Sequence, residues 1–276
     1  MPDPALKLRD KGNAVTEAQD LLNRSGALLD ADGDFGNGTL EAVREFQTTK
    51  GLAVTGIIDA ATWKRLRRLR LPSADIPTRA VAFIGREEVS SRKYYDARCV
   101  RPTWPGGASG VTIGVGYDIG YQQATFKKDW AGLLSASQTA LLTPWLGIKG
   151  DPAKAGPPNL TAVTIPWQAA WKAFIVRTLP QQVAATRKTF VGPVSLPPLC
   201  LGVLVSLVYN RGTSMTDSKD FPENRKEMRM VRDAVASGNL DKIPAALRAM
   251  KRLWKEGNGL RDRRDREARL FEEGLK

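Results

Sequence analysis

Residues 105–121 read PGGASGVTIGVGYDIGY, and the rest of the chain can be understood as a support for this stretch. The alternation of large apolar residues with small or polar ones predicts one extended strand with a packed face and an open face. On the open face, Thr112 and Asp118 stand on either side of Gly114 and Gly116. Glycine weakens a strand and is usually explained by close approach of a ligand or another backbone. We therefore expect a shallow trough that a carbohydrate ring could occupy, provided that a second carboxylate reaches it from another element.

The packed face of this predicted strand holds large side chains: Val111, Ile113, Val115, Tyr117 and Ile119. Thr112 and Asp118 are the candidates for the chemistry in the trough. Gly114, Gly116 and Tyr117 are the candidates for contact with a substrate.

The chain of 276 residues is strongly basic, with 42 Lys and Arg against 29 Asp and Glu and a formal net charge of +13. It contains no histidine, so this charge hardly changes near neutral pH. Such a balance predicts an anionic partner: nucleic acid, a membrane surface, or bacterial wall polymer with its anionic glycans. The lack of histidine excludes Ser-His-Asp hydrolysis, His-Cys proteolysis and histidine-based zinc sites.

Cysteine is equally scarce, with only Cys99 and Cys200 in the chain. Two cysteines exclude a disulfide framework and a thiolate metal cage, but they leave open whether the two thiols pair with each other. Neither a metal nor an organic cofactor is predicted.

The N-terminal sequence MPDPALKLRDKGN lacks the apolar segment of a signal peptide. No later run approaches the about 20 apolar residues that a membrane span needs. We therefore expect a protein made in a cytoplasm without a signal peptide and without stable insertion into a membrane. If it acts outside, another component has to release it.

Residues 6–66 show helical periodicity in three short runs, which predicts three amphipathic helices. Gly26 and Gly51 follow the first two runs, where a left-handed C-cap is expected. Thr39 or Asp59 is suited to cap the helix that follows. Three helices over roughly sixty residues make a minimal core, so a compact binding module is expected here.

This segment resembles the widespread three-helix peptidoglycan-binding domain. The matching residues are DGDFG at 32–36, Thr39, Ala42-Val43, Phe46-Gln47, Gly51-Leu52, Thr55-Gly56 and Thr62-Trp63. The resemblance implies that residues 1–70 bind bacterial peptidoglycan. Most of the matching glycines and aromatic residues are expected to build turns and core. Asp32 and Asp34 are the candidates for contact with the ligand.

After the module, Pro72 and Pro77 predict an extended linker over residues 71–79. The preceding basic run of residues 65–70 has no aromatic or groove-reading motif beside it, so a nucleic-acid partner is not expected. From residue 80 an apolar face leads to the acid pair Glu87 and Glu88 at a predicted helix end. The two acids are about 100° apart around a helix, so one of them can face the trough and the other is expected to be a surface charge.

Residues 80–276 resemble the lysozyme-like muramidases of phages, including the pesticin-like endolysins, which implies a mainly α (α+β) fold with a small β-hairpin at the active site. The resemblance places Glu88 at the catalytic glutamate, Tyr95 seven residues on, and Thr112 and Asp118 in the TIGVGYDIG strand. The commonest phage lysozymes instead carry the aspartate nine residues after the glutamate. Glu87 with Asp96 fits that spacing and remains the alternative pair.

Cleavage of a glycosidic bond needs a protonated carboxyl for the leaving oxygen and an ionised carboxylate for water or for positive charge at C1. The resemblance assigns Glu88 the role of the acid, and we expect its position at a helix end beside apolar residues to raise its pKa through desolvation. Asp118 is the base or stabiliser, and Thr112 helps to hold the attacking water. A held water implies inversion at the anomeric carbon.

The remaining sequence predicts an α lobe. Residues 199–209 form an apolar run that suits a central buried helix, and the tryptophans of the middle segment are expected to pack in the core rather than stack on sugar. Near the C-terminus, GLRDRRDRE resembles the closing helix of the phage lysozymes. Arg263, Arg264 and Glu267 are expected to form structural ion pairs, with Arg263 or Arg264 touching Glu88. A solvated basic face, or a helix that disturbs anionic membranes, is the alternative.

Together these features predict a monomeric two-domain endolysin that cuts the β-1,4 bond between N-acetylmuramic acid and N-acetylglucosamine. Its expected partners are peptidoglycan and anionic cell-envelope polymers, and its expected place of action is the cell wall, in the periplasm, after release from the host cytoplasm. A lytic transglycosylase and a non-catalytic wall-binding protein are the alternatives.

Overall fold

A computed structural model describes residues 3–276, and helices make up most of it. The α-helices are α1 (Asn13–Arg24), α2 (Asn37–Thr49), α3 (Ala60–Leu66), α4 (Thr78–Val89), α5 (Arg92–Tyr94), α6 (Phe126–Asp129), α7 (Ala136–Leu142), α8 (Gly156–Asn159), α9 (Trp167–Ala173), α10 (Leu179–Thr189), α11 (Pro198–Arg211), α12 (Lys226–Ala236), α13 (Ile243–Ala249) and α14 (Gly259–Gly274). Short 3₁₀ or π turns cover Tyr95–Cys99, Thr143–Trp145, Asp151–Ala155, Phe174–Thr178, Leu240–Lys242 and Met250–Leu253. Two strands, β1 (Thr112–Ile113) and β2 (Tyr117–Asp118), pair as a small sheet. The predicted mainly α fold is confirmed.

The three helices predicted for residues 6–66 are α1, α2 and α3. Their apolar faces meet in one core: Leu6, Val15, Ala18, Leu21, Leu22, Phe35, Val43, Phe46, Ile58, Trp63 and Leu66. Gly26 and Gly51 follow α1 and α2 with φ angles of 90° and 64°, as expected for residues that end helices in the left-handed region. The first two residues of the predicted module, Met1 and Pro2, lie outside the described residues.

The two predicted helix caps have different outcomes. Asp59 caps α3, because its carboxylate accepts a hydrogen bond from the Thr62 N–H at 2.8 Å. Thr39 lies inside α2 rather than at its start, where Gly36 is the cap, and it is buried. The Thr39 hydroxyl instead accepts a hydrogen bond from Gln19 Nε2 at 3.1 Å.

Two buried glutamines organise the module through the same set of hydrogen bonds. Gln19 Oε1 accepts from the Gly33 N–H, and Gln47 Oε1 accepts from the Gly56 N–H, both at 2.9 Å. The two glycines have φ angles of 77° and 75°. Each glutamine amide also donates to the carbonyl of the residue after its glycine, at 3.0 and 2.8 Å, and to a threonine hydroxyl farther on, at 3.1 and 3.2 Å. The module is therefore an internal repeat of helix, glycine loop and helix.

The strand predicted through residues 111–119 is wrong in one respect, because the chain reverses direction within it. Gly114 and Gly116 have φ angles of 58° and 64° and form the turn of a hairpin. The antiparallel register of β1 and β2 pairs Thr112 with Asp118. All five side chains of the predicted packed face are buried, so the predicted partition of the faces is confirmed.

The described chain divides into two compact units. The first contains the residues through Pro72 together with Glu88–Leu179, and the second contains Ser73–Glu87 together with Pro180–Lys276. The change from the first unit to the second after Pro72 falls inside the predicted linker, whereas residues 80–276 are divided between the units. The predicted domain bounds of 1–70, 71–79 and 80–276 stay a prediction.

In the second unit, α11 is the predicted central helix, and its residues from Cys200 to Val208 are buried. It packs with α12, α13 and α14 around an apolar core that includes Phe83, Phe190, Leu204, Leu207, Met228, Val231, Leu247, Met250 and Phe271. Within residues 3–276, none of the helices combines the length and the apolar character needed to cross a membrane.

Candidate active site

The hairpin brings Thr112 and Asp118 together as directly opposed residues, both half-buried. The Asp118 carboxylate accepts hydrogen bonds from two main-chain amides. Gly110 N–H lies 3.1 Å from Oδ1 and 2.9 Å from Oδ2, and Gly120 N–H lies 2.9 Å from Oδ1. A side chain at either glycine would collide, because a Cβ on Gly110 would lie 2.5 Å from Asp118 Oδ1 and one on Gly120 would lie 2.6 Å from the Ile148 carbonyl oxygen. These two glycines therefore allow the backbone to hold the carboxylate.

Burial raises the pKa of Asp118 above its ordinary value of 3.8. The Gly110 and Gly120 amides and the charge of Lys149 act in the opposite direction, but they do not outweigh desolvation. Asp118 is thus a fixed carboxyl group that takes up a proton more readily than an exposed aspartate. Such a group is suited to proton exchange with a substrate or a water molecule.

The other predicted contacts in the trough lie elsewhere than expected. Gly114 is buried, and a Cβ there would come within 2.8 Å of Trp130 Cη2, so an aromatic ring rather than a sugar explains this glycine. Tyr117 is only 3% exposed, and its hydroxyl donates to Asp129 Oδ2 at 2.8 Å. The trough along one straight strand is therefore wrong, since Gly114 and Gly116 make the turn and Tyr117 belongs to the core. A substrate contact by Gly114, Gly116 or Tyr117 stays a prediction.

The acid pair at the end of α4 has two different environments. Glu87 accepts two hydrogen bonds from Arg266, at 2.7 and 2.9 Å, and its side chain is only 7% exposed. Arg263 Nε lies 4.0 Å from the same carboxylate. Glu87 is therefore the buried member of an ion pair, and the expectation that the second acid is a surface charge is wrong. Glu88 follows it and is half-buried in the same compact unit as the hairpin.

The alternative pair of Glu87 with Asp96 consists of two carboxylates that are already paired. Asp96 Oδ2 lies 3.0 Å from Arg92 Nε, and its side chain is 51% exposed. The preference for Glu88 with Asp118 rests on the resemblance, and this pair stays a prediction.

Tyr95, which the resemblance aligned with the family's tyrosine, is fully buried. Its hydroxyl donates to the Ile165 carbonyl at 2.8 Å, and its ring meets Trp167 edge-on at 4.8 Å between centroids. Burial raises its pKa. This tyrosine fixes the chain that follows α4.

In the N-terminal module, Asp32 and Asp34 lie in the first glycine loop. Asp32 Oδ1 accepts from the Asp34 N–H and from Gln19 Nε2, both at 2.9 Å. Burial alone would raise the pKa of Asp32, but these hydrogen bonds outweigh it and lower the pKa. In the second loop Thr55 takes the place of Asp32, because its hydroxyl accepts from the Ile57 N–H at 3.1 Å. The equivalence shows that Asp32 shapes its loop, and a ligand contact by Asp32 stays a prediction.

Asp34 is the more accessible of the two acids, with a side chain that is 47% exposed. Its carboxylate lies 2.8 Å from Lys11 Nζ. This leaves an exposed ion pair beside the glycine loop, and Asp34 likewise stays a predicted ligand contact.

A feature that sequence reasoning missed is the contact between the module and α9. Trp167 Nε1 donates to the Gly26 carbonyl at 3.0 Å, and Trp171 Nε1 donates to the Arg24 carbonyl at 3.4 Å. Arg92 binds Glu45 of α2 and lies over the Trp167 ring. A cavity of about 190 Å³ remains between the module and these tryptophans. The spacing of four residues between Trp167 and Trp171 indicates that both lie on one buried helix face, but the sequence does not indicate which surface covers that face.

The predicted ion pairs of the closing helix are present and buried. Glu267 Oε1 lies 3.1 Å from Arg263 Nε and 2.9 Å from Arg264 Nη2, and it accepts the Ser206 hydroxyl at 2.7 Å. Because all three charged residues are at most 3% exposed, a solvated basic face is wrong for this part of α14.

Cys99 and Cys200 are both free thiols, which answers the question that the sequence left open. Burial raises the pKa of both, that of Cys200 to about 11, so neither is an activated nucleophile. Among residues 3–276, no group of three or more Cys, Asp or Glu is placed to hold a metal ion.

Part of the chain matches a known family, and the chain is similar to known proteins that include the following two. Residues 11–66 match the family model of the putative peptidoglycan-binding domain. A protein of Kitasatospora aureofaciens, described as an uncharacterized protein in the bpoA1 3′ region, is 44% identical over 66 residues, which are 23% of this chain and 56% of that protein. The chain thus spans about half the length of this relative. The crystal structure of Burkholderia AP3 phage endolysin is 17% identical over 99% of each chain with a TM-score of 0.24, which is too low to carry an argument. The family match confirms the resemblance predicted for the N-terminal module and supports peptidoglycan as a partner.

Proposed function

We propose that the protein is a peptidoglycan hydrolase of the muramidase type, which cuts the β-1,4 bond between N-acetylmuramic acid and N-acetylglucosamine. One observation carries the proposal. Asp118 is a half-buried carboxyl with a raised pKa, held opposite Thr112 by main-chain amides, in a chain whose residues 11–66 match a peptidoglycan-binding family. Wall glycan is the polymer on which a fixed carboxyl group and such a module would act together.

In the proposed mechanism, Glu88 protonates the leaving glycosidic oxygen. This role follows from the resemblance to the phage lysozymes, which places Glu88 at the catalytic glutamate. Asp118, once ionised, takes a proton from water as it attacks C1 or stabilises the positive charge that develops there. The Thr112 hydroxyl, directly across the hairpin, orients this water.

A water held between Thr112 and Asp118 implies inversion at the anomeric carbon, because the nucleophile attacks from the face opposite the leaving group. NMR of the first-formed sugar anomer tests this step. Retained configuration would contradict the assigned role of Asp118 as base.

A second candidate is a lytic transglycosylase, which needs one acid and forms an anhydro sugar. The hydrogen bonds of Asp118 to Gly110 and Gly120 favour it, since they also suit an aspartate that only stabilises the hairpin. In that case Asp118→Asn would retain cleavage as long as the hairpin stays folded.

The proposal extends to the setting in which the protein acts. We infer that it acts as a monomer on the cell wall, in the periplasm, after release from the cytoplasm in which it is made. Its charge of +13 favours the anionic polymers of the envelope. This attraction should weaken as salt is added, since screening shortens the range of charge interactions.

Release of soluble muropeptides from purified sacculi tests the proposal. We expect Glu88→Gln to lower the rate by about 10²–10⁴-fold, the range of a lost general acid, and Asp118→Asn to lower it comparably. Asp96→Asn is the matched control, because Asp96 is an exposed carboxylate paired with Arg92. All variants should bind sacculi and melt near the wild-type temperature. Full activity of Glu88→Gln would exclude the enzyme and leave a wall-binding protein.

A further inference from the structure

The end of α11 carries an arginine that has no acidic partner, and a second such arginine lies beside it. Arg211 is the last residue of α11, and Arg225 immediately precedes α12. Within residues 3–276, neither guanidinium has a carboxylate oxygen within the 4.0 Å of an ion pair. Arg211 donates instead to the Asn224 carbonyl, and Arg225 donates to the Arg211 carbonyl. Both charges are thus held in place by main-chain oxygens. Glu227 attracts Arg211 and Asp217 attracts Arg225, but neither carboxylate forms an ion pair with them.

The acids around these two arginines are already engaged. Asp217 binds Arg229 at 3.1 Å, Glu227 binds Arg252 at 2.5 Å, and Glu267 binds Arg264 at 2.9 Å. Each of these carboxylates has a cationic partner of its own. Arg211 and Arg225 therefore form an excess of positive charge in this part of the second unit.

The surroundings of Arg211 show that this excess has an energetic cost. Its guanidinium carbon lies 5.5 Å from the centroid of the Trp254 ring, and its buried Nε has no hydrogen-bond partner. Burial, together with the charges of Arg225, Arg264 and Arg252, lowers the pKa of Arg211 to about 10, and the charge of Glu227 acts in the opposite direction without outweighing them. A bound anion near this guanidinium would stabilise its charged form, because burial and like charges now disfavour it.

We propose that Arg211 and Arg225 form a binding site for a phosphate monoester. The two guanidiniums carry two positive charges. A phosphate monoester carries a charge of about −1.5 to −2 near pH 7 and so balances both, whereas a carboxylate carries only one negative charge. Guanidinium groups also offer paired N–H donors that fit phosphate oxygens. The ligand can be free phosphate or a monoester carried by a lipid or another envelope component. The site goes beyond the proposed cleavage of glycan and does not depend on it.

Binding of inorganic phosphate to the full-length protein tests this site, with chloride at matched ionic strength as the reference. We expect a saturable rise in melting temperature with phosphate and a titration curve with one site. Arg211→Gln and Arg225→Gln should each weaken binding about tenfold or more, because each removes a charge-assisted contact. Arg232→Gln is the matched control, since Arg232 lies on α12 and pairs with the exposed Asp233. No effect of phosphate beyond that of chloride, or equal losses in all three variants, would overturn the proposal.

A second measurement on the wild-type protein covers the case in which Arg211→Gln fails to fold. The second proton of a phosphate ester leaves near pH 6, whereas a chain without histidine hardly changes its charge there. The affinity for a soluble alkyl phosphate should therefore rise between pH 5 and pH 7.5, and a flat profile would contradict the charge match.

Vesicles distinguish the two sources of the ligand. Vesicles of phosphatidylcholine with phosphatidic acid carry a phosphate monoester, and those with phosphatidylglycerol carry only a diester. Preference for phosphatidic acid that Arg211→Gln abolishes assigns the site to a membrane-borne monoester. Phosphate binding without such a preference assigns it to a soluble phosphate.

Discussion

At Asp118, burial and hydrogen bonding act in opposite directions on one carboxyl group. Desolvation raises its pKa, whereas the Gly110 and Gly120 amides favour the ionised form. The backbone therefore fixes the position of this carboxyl group. Its proton dissociates at a higher pH than that of an ordinary aspartate. This combination is what a residue that handles a proton or a water molecule requires.

The raised pKa of Asp118 predicts a pH-dependent contribution to stability. Because the folded protein holds this proton more tightly than the unfolded chain, the free energy of unfolding falls as the pH rises from the ordinary value of 3.8 through the folded pKa. The unfolding free energy of the wild type minus that of Asp118→Asn should therefore fall over this interval and then level off. Urea titrations of both proteins between pH 3 and pH 7 measure it. A difference that grows with pH would contradict the sign.

The neighbours Glu87 and Glu88 should respond differently to the same substitution. Glu87→Gln removes the ion pair with Arg266 and should lower the free energy of unfolding by about 1 kcal/mol, a small value because the Arg266 side chain is 43% exposed. Cleavage by the folded protein should persist. Glu88→Gln should lower the rate of cleavage by about 10²–10⁴-fold. Denaturant midpoints and sacculus assays of the two variants decide this, and a reversal of the two effects would exchange the roles.

At the scale of elements, the hairpin explains why the sequence predicted the right faces and the wrong strand. The side chains from Val111 to Ile119 alternate in the same way whether the chain runs straight or reverses at its middle. A turn centred on one residue, Val115, keeps odd positions on one side of the sheet. The period-2 pattern therefore determines burial but not direction. Only the positive φ angles of Gly114 and Gly116 distinguish the two, and the sequence does not contain them.

A comparison of Gly114 with Gly107, which has nearly the same φ angle, separates the cost of backbone strain at position 114 from the cost of steric overlap with Trp130. Gly114→Ala and Gly107→Ala both place a Cβ at a φ angle of 58° or 57°, which costs about 1–2 kcal/mol. A Cβ at position 107 meets nothing within 4 Å, whereas one at position 114 lies 2.8 Å from Trp130. Gly114→Ala should thus lose about 1–3 kcal/mol more, measured by thermal unfolding. Equal losses would show that Trp130 does not constrain the hairpin.

For the whole molecule, the main difference from the sequence-based view is the position of the binding module. The prolines of residues 71–79 predicted an extended linker, from which a tethered module would follow. The structure shows the module fastened to α9 through Trp167 and Trp171. Amphipathic periodicity identifies the residues that are buried, but it cannot identify the partner surface when that surface lies about 140 residues away in the chain. The N-terminal module is therefore held against α9.

Removal of Trp167 should loosen this attachment. Trp167→Ala deletes a buried ring and the hydrogen bond to Gly26, so residues 24–29 should exchange amide hydrogens faster and the protein should lose about 3–5 kcal/mol of stability. Gln168→Ala is the control, because Gln168 is exposed on the same helix and borders the same cavity. Hydrogen exchange measured by mass spectrometry compares the two. Unchanged protection in Trp167→Ala would show that the module is held by other contacts.

The masses of the products released from purified sacculi test the central claim most directly. If Glu88 protonates the leaving oxygen and Asp118 activates water for attack on C1, the wild-type protein releases muropeptides with hydrated, reducing N-acetylmuramic acid ends. Products lighter by one water, with anhydro ends, would contradict hydrolysis and identify a transglycosylase.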